Sequence, residues 1–225
     1  YLKPTGSAVY AARLDHDPSW FMSAAQEQNL LRYSEMLNQS GGGLQWAGEK
    51  VTITANAGTD PLGGSTAEII TENTQAGSHN VKSPDFSVTE GTAYTLSAYV
   101  KINSGDRNIR LAFTAVSSAF TFAFATFDLS SEAVVSSDTT AAIQSVGNGW
   151  FRVSIQSAAA TATVEDAQAS LHLVNNTTNY TGDGTSGFLI WGAQVEVGST
   201  AGTYHRTTGA PYYGPGATPK GLLVE

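Results

Sequence analysis

The clearest alternation of apolar and polar residues in the chain runs through residues 93–101. Successive side chains of a β-strand point to opposite faces of the sheet, so this pattern predicts a strand with two different faces. One face carries Tyr94, Leu96, Ala98 and Val100. The other face carries Thr95, Ser97, Tyr99 and Lys101.

Shorter segments with alternating, β-branched or aromatic residues recur along the chain at regular spacing. They predict strands at 51–54, 67–71, 78–88, 108–113, 150–155, 169–174 and 188–197, and less clearly at 29–35 and 120–127. Turn-forming residues separate these segments, and residues 104–106 predict a hairpin between two of them. About nine to eleven short strands and few helices favour an all-β fold of two antiparallel sheets packed as a sandwich.

The same alternation assigns side chains within two of the later strands. In the strand at 150–155, the residues predicted to point inward are Phe151, Val153 and Ile155. In the strand at 188–197, the residues predicted to share one face are Leu189, Trp191, Ala193 and Val195. Their apolar character favours a place for Trp191 in the core rather than on the surface.

A length of 225 residues suits one large sandwich domain. We expect an N-terminal arm or connector at 1–28, the sandwich at 29–200 and a C-terminal connector at 201–225. The segment Tyr1–Gly6 resembles Tyr204–Gly209. Either this similarity is coincidental, or a connector repeats once per module in a longer chain.

Composition and motifs exclude several classes of function. The net charge is −8 and the 11 Lys and Arg residues form no run, so we expect neither nucleic-acid binding nor attachment to anionic membranes. No apolar run is long enough for membrane insertion, and the lack of cysteine excludes thiolate chemistry. The chain has no Gly-x-Ser-x-Gly or His-x-x-x-His motif, so we expect no catalytic activity. A glycosidase carboxylate pair stays open, because the fold assembles such pairs.

Five segments in sequence order carry a resemblance to a known family: 29–35, 91–101, 147–153, 190–196 and 219–225. Together they resemble the carbohydrate-binding-module-like jelly rolls of phage and prophage virion proteins, such as tail-fibre and minor structural proteins. The resemblance implies a two-sheet antiparallel jelly-roll β-sandwich with extended terminal arms. The chain departs from the family pattern at 19–28, which puts the packing of the first arm in doubt.

The resemblance also implies a function and partners. The implied function is that of a non-catalytic module of a phage structural protein, which contacts cell-surface or extracellular glycans. The implied location is the virion or the outside of the cell, and the implied partners are glycans and other virion subunits. A homo-oligomer is common among fibre proteins and is expected only by analogy. Two alternatives stay open: a purely structural spacer or decoration domain, and an accessory module of a polysaccharide-degrading enzyme.

Sugar recognition needs aromatic platforms beside side chains that hydrogen-bond hydroxyl groups. If the predicted strands neighbour one another in one sheet, several such side chains converge on a concave face. The candidates on that face are Tyr99, Lys101, Trp150, Arg152, Gln194 and Glu196, with Arg110 and His79 at its margin. The alternative is a plain solvent-exposed face on which Lys101 and Arg152 pair with Glu196.

Asp15 and Asp17 alternate along an extended segment and form a weak candidate site for a hard cation. Loop residues Asp60 and Asp183 could add ligands, although solvated loop aspartates explain the pattern equally well. Structural calcium is therefore left open, since many jelly-roll modules hold one, and no other cofactor is expected.

Overall fold

The computed structural model of the chain describes residues 27–37, 46–114 and 119–214. Within these ranges the regular secondary structure consists of seventeen β-strands and no helix, and thus of no helix that could span a membrane. Three sequence predictions lie outside the described residues. They are the candidate cation site at Asp15 and Asp17, the first copy of the connector at 1–6, and 219–225, the last of the five segments that carry the family resemblance.

The strands in chain order are β1 (Gln28–Asn29), β2 (Ala47–Glu49), β3 (Val51–Gly58), β4 (Ala67–Glu72), β5 (Ala76–Lys82), β6 (Phe86–Val88), β7 (Tyr94–Ser104), β8 (Asn108–Phe113), β9 (Ala123–Asp128), β10 (Ala133–Ser137), β11 (Ala141–Gly147), β12 (Trp150–Gln156), β13 (Val164–Ala167), β14 (Ala169–Val174), β15 (Asn179–Thr181), β16 (Gly187–Val197) and β17 (Tyr212–Tyr213).

Two large antiparallel sheets make up most of the fold, and the pairs β1-β17 and β13-β6 form two small two-stranded sheets. Sheet 1 has the order β10-β9-β8-β14-β5-β15, with β2 also paired to β5, and sheet 2 has the order β11-β12-β7-β16-β4-β3. The inner strands follow the orders β5-β14-β8-β9 and β4-β16-β7-β12, so the chain passes between the sheets from β4 to β5 and from β7 to β8. This interleaving is the double Greek key of a jelly roll. The predicted all-β sandwich is confirmed.

The core lies between the sheets and confirms the predicted inward faces. Sheet 2 contributes Tyr94, Leu96, Ala98, Val100, Phe151, Val153 and Ile155, all buried. Sheet 1 contributes Ile109, Leu111, Phe113, Phe127, Leu171 and Leu173, which are buried as well. Apolar burial on both inner faces, at about 25 cal/mol per Å², is the main force that holds the sheets together.

Some predicted elements are wrong in detail. The turn at 104–106 is not a hairpin, because β7 and β8 belong to different sheets and the turn crosses between them. The segment 78–88 forms two strands, β5 and β6, with Pro84 between them. The exposed strands β10 and β11 were missed, because strands at a sheet edge need little apolar alternation.

The long strand β16 changes face in its middle. Its pairing with β7 shifts register between Trp191 and Gln194, and Gly192 between them has a φ of 60°. Trp191 therefore lies on the outer face of sheet 2, whereas Ala193 and Val195 point into the core. The burial of Trp191 is confirmed, but its predicted place beside Ala193 and Val195 is wrong because of this bulge.

Candidate functional site

Six of the eight predicted site residues lie together on the outer face of sheet 2. They are Tyr99, Lys101, Trp150, Arg152, Gln194 and Glu196. Tyr99 pairs directly with Arg152 on one side and with Trp191 on the other. The predicted convergence of these three strands in one sheet is therefore present.

This face binds the chain's own segment 198–207, which we call the strap. The Gln194 side chain donates from Nε2 to the Thr203 carbonyl at 3.0 Å and accepts from the His205 amide at 2.8 Å. Glu196 Oε1 accepts from Gln194 Nε2 and from the Gly202 amide, both at 2.9 Å. Gln194 and Glu196 are buried, so their polar groups hold the strap rather than an external ligand.

The remaining charged groups of this face are also occupied. Arg152 donates from Nη1 to the Gly202 carbonyl at 2.6 Å and from Nη2 to Ser97 Oγ at 3.0 Å. Lys101 donates to the Asn148 carbonyl at 2.7 Å. The alternative expectation that Lys101 and Arg152 pair with Glu196 is therefore wrong among the contacts of the described residues.

The aromatic residues of the sheet 2 outer face pack on each other. Trp150 and Trp191 are buried with Leu189, and Tyr99 and Tyr204 pack against them. These rings form a second, smaller hydrophobic core under the strap. They do not offer an open platform for a sugar ring.

A pocket of about 270 Å³ opens between β11, β12 and the strap. Its lining includes Thr95, Gln144, Arg152, Ser154, Gln156 and Thr200. No aromatic side chain of the described residues lines it, so this pocket lacks the stacking surface that sugar rings favour.

The other two predicted residues belong to sheet 1 and do not join the six. His79 points into the sandwich, is fully buried, and packs against the Tyr180 ring at a centroid distance of 4.6 Å. Neither ring nitrogen of His79 has a hydrogen-bond partner among the described residues. Arg110 lies on the opposite, outer face of sheet 1, paired across strands with His172 and Thr126.

Arg110 belongs to a row of polar side chains that crosses five strands of sheet 1. The row, in spatial order, is Thr126, Arg110, His172, Asn80 and Glu49. The adjacent row contains Phe124, Ala112, Ser170, Lys82 and Ala47. Ala112 and Ser170, in the middle of the second row, are fully buried. We call these two rows the sheet 1 outer face.

The Arg110 guanidinium is fixed in place by its neighbours. Its Nε donates to Thr126 Oγ1 at 2.8 Å, and its Cζ lies 4.1 Å from the centre of the Phe124 ring. Phe124 in turn contacts Phe122 at a centroid distance of 5.5 Å, and Phe122 is 47% exposed. Burial lowers the pKa of Arg110, while the charge of Asp138 raises it. The result is a partly buried cation that lies over an aromatic ring.

His172 is neutral at physiological pH. Its Nδ1 lies 3.2 Å from Ser78 Oγ and its Nε2 lies 2.8 Å from Ser170 Oγ. Burial lowers the pKa of His172 to about 4, and the charges of Arg110 and Lys82 act in the same direction. The ring therefore serves as one donor and one acceptor in the row.

Asn80 links the row to its acidic end. Its Nδ2 donates to Glu49 Oε2 at 3.1 Å and to Ser78 Oγ at 3.0 Å. Its Oδ1 is buried and accepts no hydrogen bond from the described residues. Glu49 also pairs with Lys50 at 3.3 Å and Lys82 at 3.5 Å, and the Asn80 hydrogen bond is the main cause of its lowered pKa. This oxygen keeps an unused acceptor site, but its neighbours cover it.

Sequence reasoning missed this row apart from Arg110. The alternation at 108–113 and 169–174 places Arg110, Ser170 and His172 opposite the core residues, and that signal was available. The alignment with Asn80 and Glu49 depends on the pairing of β14 with β5 and of β5 with β2. Sequence spacing alone does not reveal that pairing.

The loop aspartates do not fit as calcium ligands. Asp60 accepts hydrogen bonds from the backbone of Leu62, Gly64 and Thr66 and from the Thr66 hydroxyl. Asp183 accepts from Thr185, Ser186 and Arg107, and a guanidinium beside this carboxylate repels a cation. In the ranges described, no three acidic or histidine side chains are grouped as a metal site requires.

Comparison with known proteins finds no matching family model and no matching curated protein. Among solved structures, the chain is similar to the CBM22-1 and GH10 modules of a Clostridium thermocellum endo-1,4-β-D-xylanase, with a TM-score of 0.41 and 16% identity over 80% of this chain and 29% of that one. The chain thus spans under a third of that structure.

Two further solved structures are single modules, and this chain matches each of them over nearly its whole length. The CBM22-1 xylan-binding domain of a Paenibacillus barcinonensis protein has a TM-score of 0.40 and 15% identity, over 79% of this chain and 98% of that one. A CBM61 domain in complex with β-1,4-galactotriose has a TM-score of 0.40 and 12% identity, over 76% and 99%. The structural neighbours of this sandwich include carbohydrate-binding modules with a jelly-roll-like fold.

Proposed function

We propose that this chain is a non-catalytic glycan-binding module and that the sheet 1 outer face is its ligand surface. The observation that carries the proposal is the position of the Arg110 guanidinium over the Phe124 ring, in line with His172 on the neighbouring strand. Aromatic surface suits the apolar face of a sugar ring, and the row supplies donors and acceptors for its hydroxyl groups.

The sheet 2 outer face serves a different purpose in this proposal. Its amide, guanidinium and carboxylate groups already bind the strap, and its tryptophans are buried. A ligand there would have to displace these contacts before binding. On the sheet 1 outer face, Arg110 is half-buried and its terminal nitrogens hold no strap contact, whereas Asn80 is buried.

Two carboxylates near the row do not suit glycoside hydrolysis. Glu49 lies on β2 at one end, and Asp138 is bonded to the backbone of Phe124 at the other. Four strand spacings separate β2 from β9, about 19 Å in all. Glycosidase carboxylate pairs lie roughly 5 to 9.5 Å apart, so these two carboxylates favour binding over catalysis.

A glycan array probed with a multimeric form of the protein tests this proposal, since multivalency raises weak affinity. Phe124→Ala and Arg110→Met should each lower retention about tenfold or more, because each removes one part of the ligand surface. Lys101→Ala, on the sheet 2 outer face, is the matched control and should leave retention unchanged. Loss of retention in the control alone would move the site to sheet 2.

We propose further that the parent protein is a phage tail-fibre or minor structural protein that works in the virion, outside the cell, and contacts cell-surface glycans. The sequence resemblance described above supports this setting. Fluorescently labelled module should then bind intact bacteria and lose that binding after enzymatic removal of surface polysaccharide. Binding to plant polysaccharides instead would favour the accessory module of a degrading enzyme. A folded module that binds no glycan would favour a structural spacer.

A further inference from the structure

The sheet 1 outer face carries one charge that the described residues do not neutralise. Lys50 and Lys82 pair with Glu49, Arg107 pairs with Glu72, and Arg206 pairs with Glu35. Arg110 forms no ion pair with any carboxylate that the structure describes.

The outer edge of the Arg110 guanidinium is available to a ligand. Its only hydrogen bond to a described residue is from Nε to Thr126, so Nη1 and Nη2 have no partner there. Arg152, the corresponding arginine on sheet 2, differs because its Nη1 and Nη2 already donate to Gly202 and Ser97. The two terminal nitrogens of a guanidinium form a planar fork that matches the two oxygens of a carboxylate.

The surroundings of Arg110 strengthen this preference. Stacking on Phe124 and the hydrogen bond to Thr126 fix the guanidinium plane before a ligand arrives, which reduces the entropy lost on binding. Partial burial removes water from the charge, and a desolvated cation gains more from an anionic partner than an exposed one does.

The groups that face Arg110 set the charge of the ligand. His172, the neighbour of Arg110 in the row, is neutral. On the other side of Arg110, the carboxylate of Asp138 forms no ion pair with it and raises its pKa only through a longer-range charge interaction. Lys82 lies two strands away and is engaged by Glu49. Across the two rows of this face, Arg110 and Lys82 are positive and Glu49 is negative, which leaves one net positive charge, whereas the protein as a whole carries −8. A ligand with single, spaced carboxylates fits this arrangement better than a densely charged polyanion, which the overall charge repels.

We infer that the sheet 1 outer face selects glycans that contain a carboxylate-bearing sugar, such as a uronic acid, and that Arg110 binds the carboxylate through Nη1 and Nη2. This inference rests on the proposed function. The aromatic surface of Phe124 and the exposed Phe122 contacts the neutral part of the same ligand.

Matched polysaccharides test the inference. Uronate-containing polymers such as alginate, hyaluronate and polygalacturonate can be chemically reduced at the carboxyl group, which converts each uronic acid into the neutral sugar of the same configuration. The wild-type module should bind at least one polymer about tenfold more tightly in its acidic form than in its reduced form. Raising the salt concentration should weaken only the binding of the acidic form.

Two substitutions separate the contributions. Arg110→Met keeps the length of the side chain and should abolish the difference between acidic and reduced forms. Arg110→Lys keeps the charge without the fork and should restore only part of that difference. Phe124→Ala should weaken both forms, and the acidic form more, because it also frees the Arg110 guanidinium. Circular dichroism and a thermal melt establish that each variant is folded before binding is compared.

The possible failures are distinguishable. Equal binding of acidic and reduced polymers by the wild-type module, or a difference that survives Arg110→Met, overturns this inference and leaves the proposed function intact. Absence of binding to any glycan on the array overturns the proposed function and this inference together.

Discussion

The rings of Tyr204 and Trp191 lie with their centroids 4.6 Å apart, and this contact joins the strap to the outer face of sheet 2. The Tyr204 hydroxyl donates to Glu35 Oε1 at 2.8 Å and lies 2.7 Å from Ser34 Oγ. One tyrosine thus connects the strap, the central strand β16 and the N-terminal segment 27–37.

Substitution of Tyr204 should separate ring packing from hydrogen bonding. Tyr204→Phe keeps the ring and should lower the free energy of unfolding by about 1 kcal/mol, the usual contribution of a hydrogen bond. Tyr204→Ala also removes the contact with Trp191 and should cost roughly 2–4 kcal/mol. Urea unfolding followed by tryptophan fluorescence measures both. Equal losses in the two variants would show that the ring contact contributes nothing.

Gly192→Ala should destabilise the domain through both backbone and packing. Gly192 has a φ of 60°, and an added Cβ would lie 3.0 Å from Tyr99 Cδ2 and 3.3 Å from the Tyr204 ring. Backbone strain costs roughly 1–2 kcal/mol, and displacement of the two rings adds to it. The matched control is Gly91→Ala, at a φ of 78° with open space around the added Cβ. A thermal melt in which both variants lose the same stability would contradict the packing contribution.

Removal of Arg107 should leave a buried charge without its partner. The Glu72 side chain is fully buried, accepts from Arg107 Nε at 3.2 Å and Nη2 at 2.9 Å, and also accepts from the Tyr180 hydroxyl. Arg107→Met should therefore lower the free energy of unfolding by about 3–5 kcal/mol.

The double variant Glu72→Gln, Arg107→Met should recover much of that loss, because the charge and its partner disappear together. Lys101→Met serves as the control, since its ammonium contacts a backbone carbonyl and should cost under about 1 kcal/mol. Denaturant titration of the wild type, Glu72→Gln, Arg107→Met and the double variant measures the coupling. A double variant as unstable as Arg107→Met would contradict the ion-pair explanation.

Glu68→Gln should stabilise the protein at alkaline pH. Glu68 is buried, and burial raises the pKa of its carboxyl group from 4.5 to about 7 while Oε2 accepts from the Leu37 amide at 2.8 Å. The unfolded state loses its proton at lower pH than the folded state, so stability falls as pH rises from about 4.5 to 7.

Glutamine keeps the acceptor and cannot ionise. The variant should therefore match the wild type at pH 4 and exceed it by about 2–3 kcal/mol at pH 8. Unfolding free energies at the two pH values measure the difference. A constant difference between pH 4 and 8 would show that Glu68 has an ordinary pKa.

His172 should produce a loss of stability in acid. Its pKa of about 4 in the folded state lies below the ordinary value of 6.5, so the unfolded state takes up a proton first as pH falls. Stability from this residue is complete above pH 6.5 and declines down to about pH 4. His172→Gln should lose less stability than the wild type between pH 7 and pH 4. Parallel acid titrations of the two proteins would argue against a buried neutral histidine.

The local pattern of the sequence determined the strands and their faces. Alternation from Tyr94 to Val100 and from Phe151 to Ile155 predicts which side chains are buried, because consecutive residues of any strand point to opposite sides. The same rule placed Tyr99, Arg152 and Gln194 on one outer face, where the structure has them. The proposed division into arm, sandwich and connector stays a prediction.

Only the tertiary structure decided which residues surround the two outer faces. The strap covers sheet 2 through contacts with residues that are distant in sequence, such as the hydrogen bond from Arg152 to the Gly202 carbonyl of the strap. The row on sheet 1 joins Glu49 to His172, which are far apart in the chain. A two-residue period fixes the side to which each residue points, but the pairing of strands follows from burial of the whole core, and no local segment contains that information.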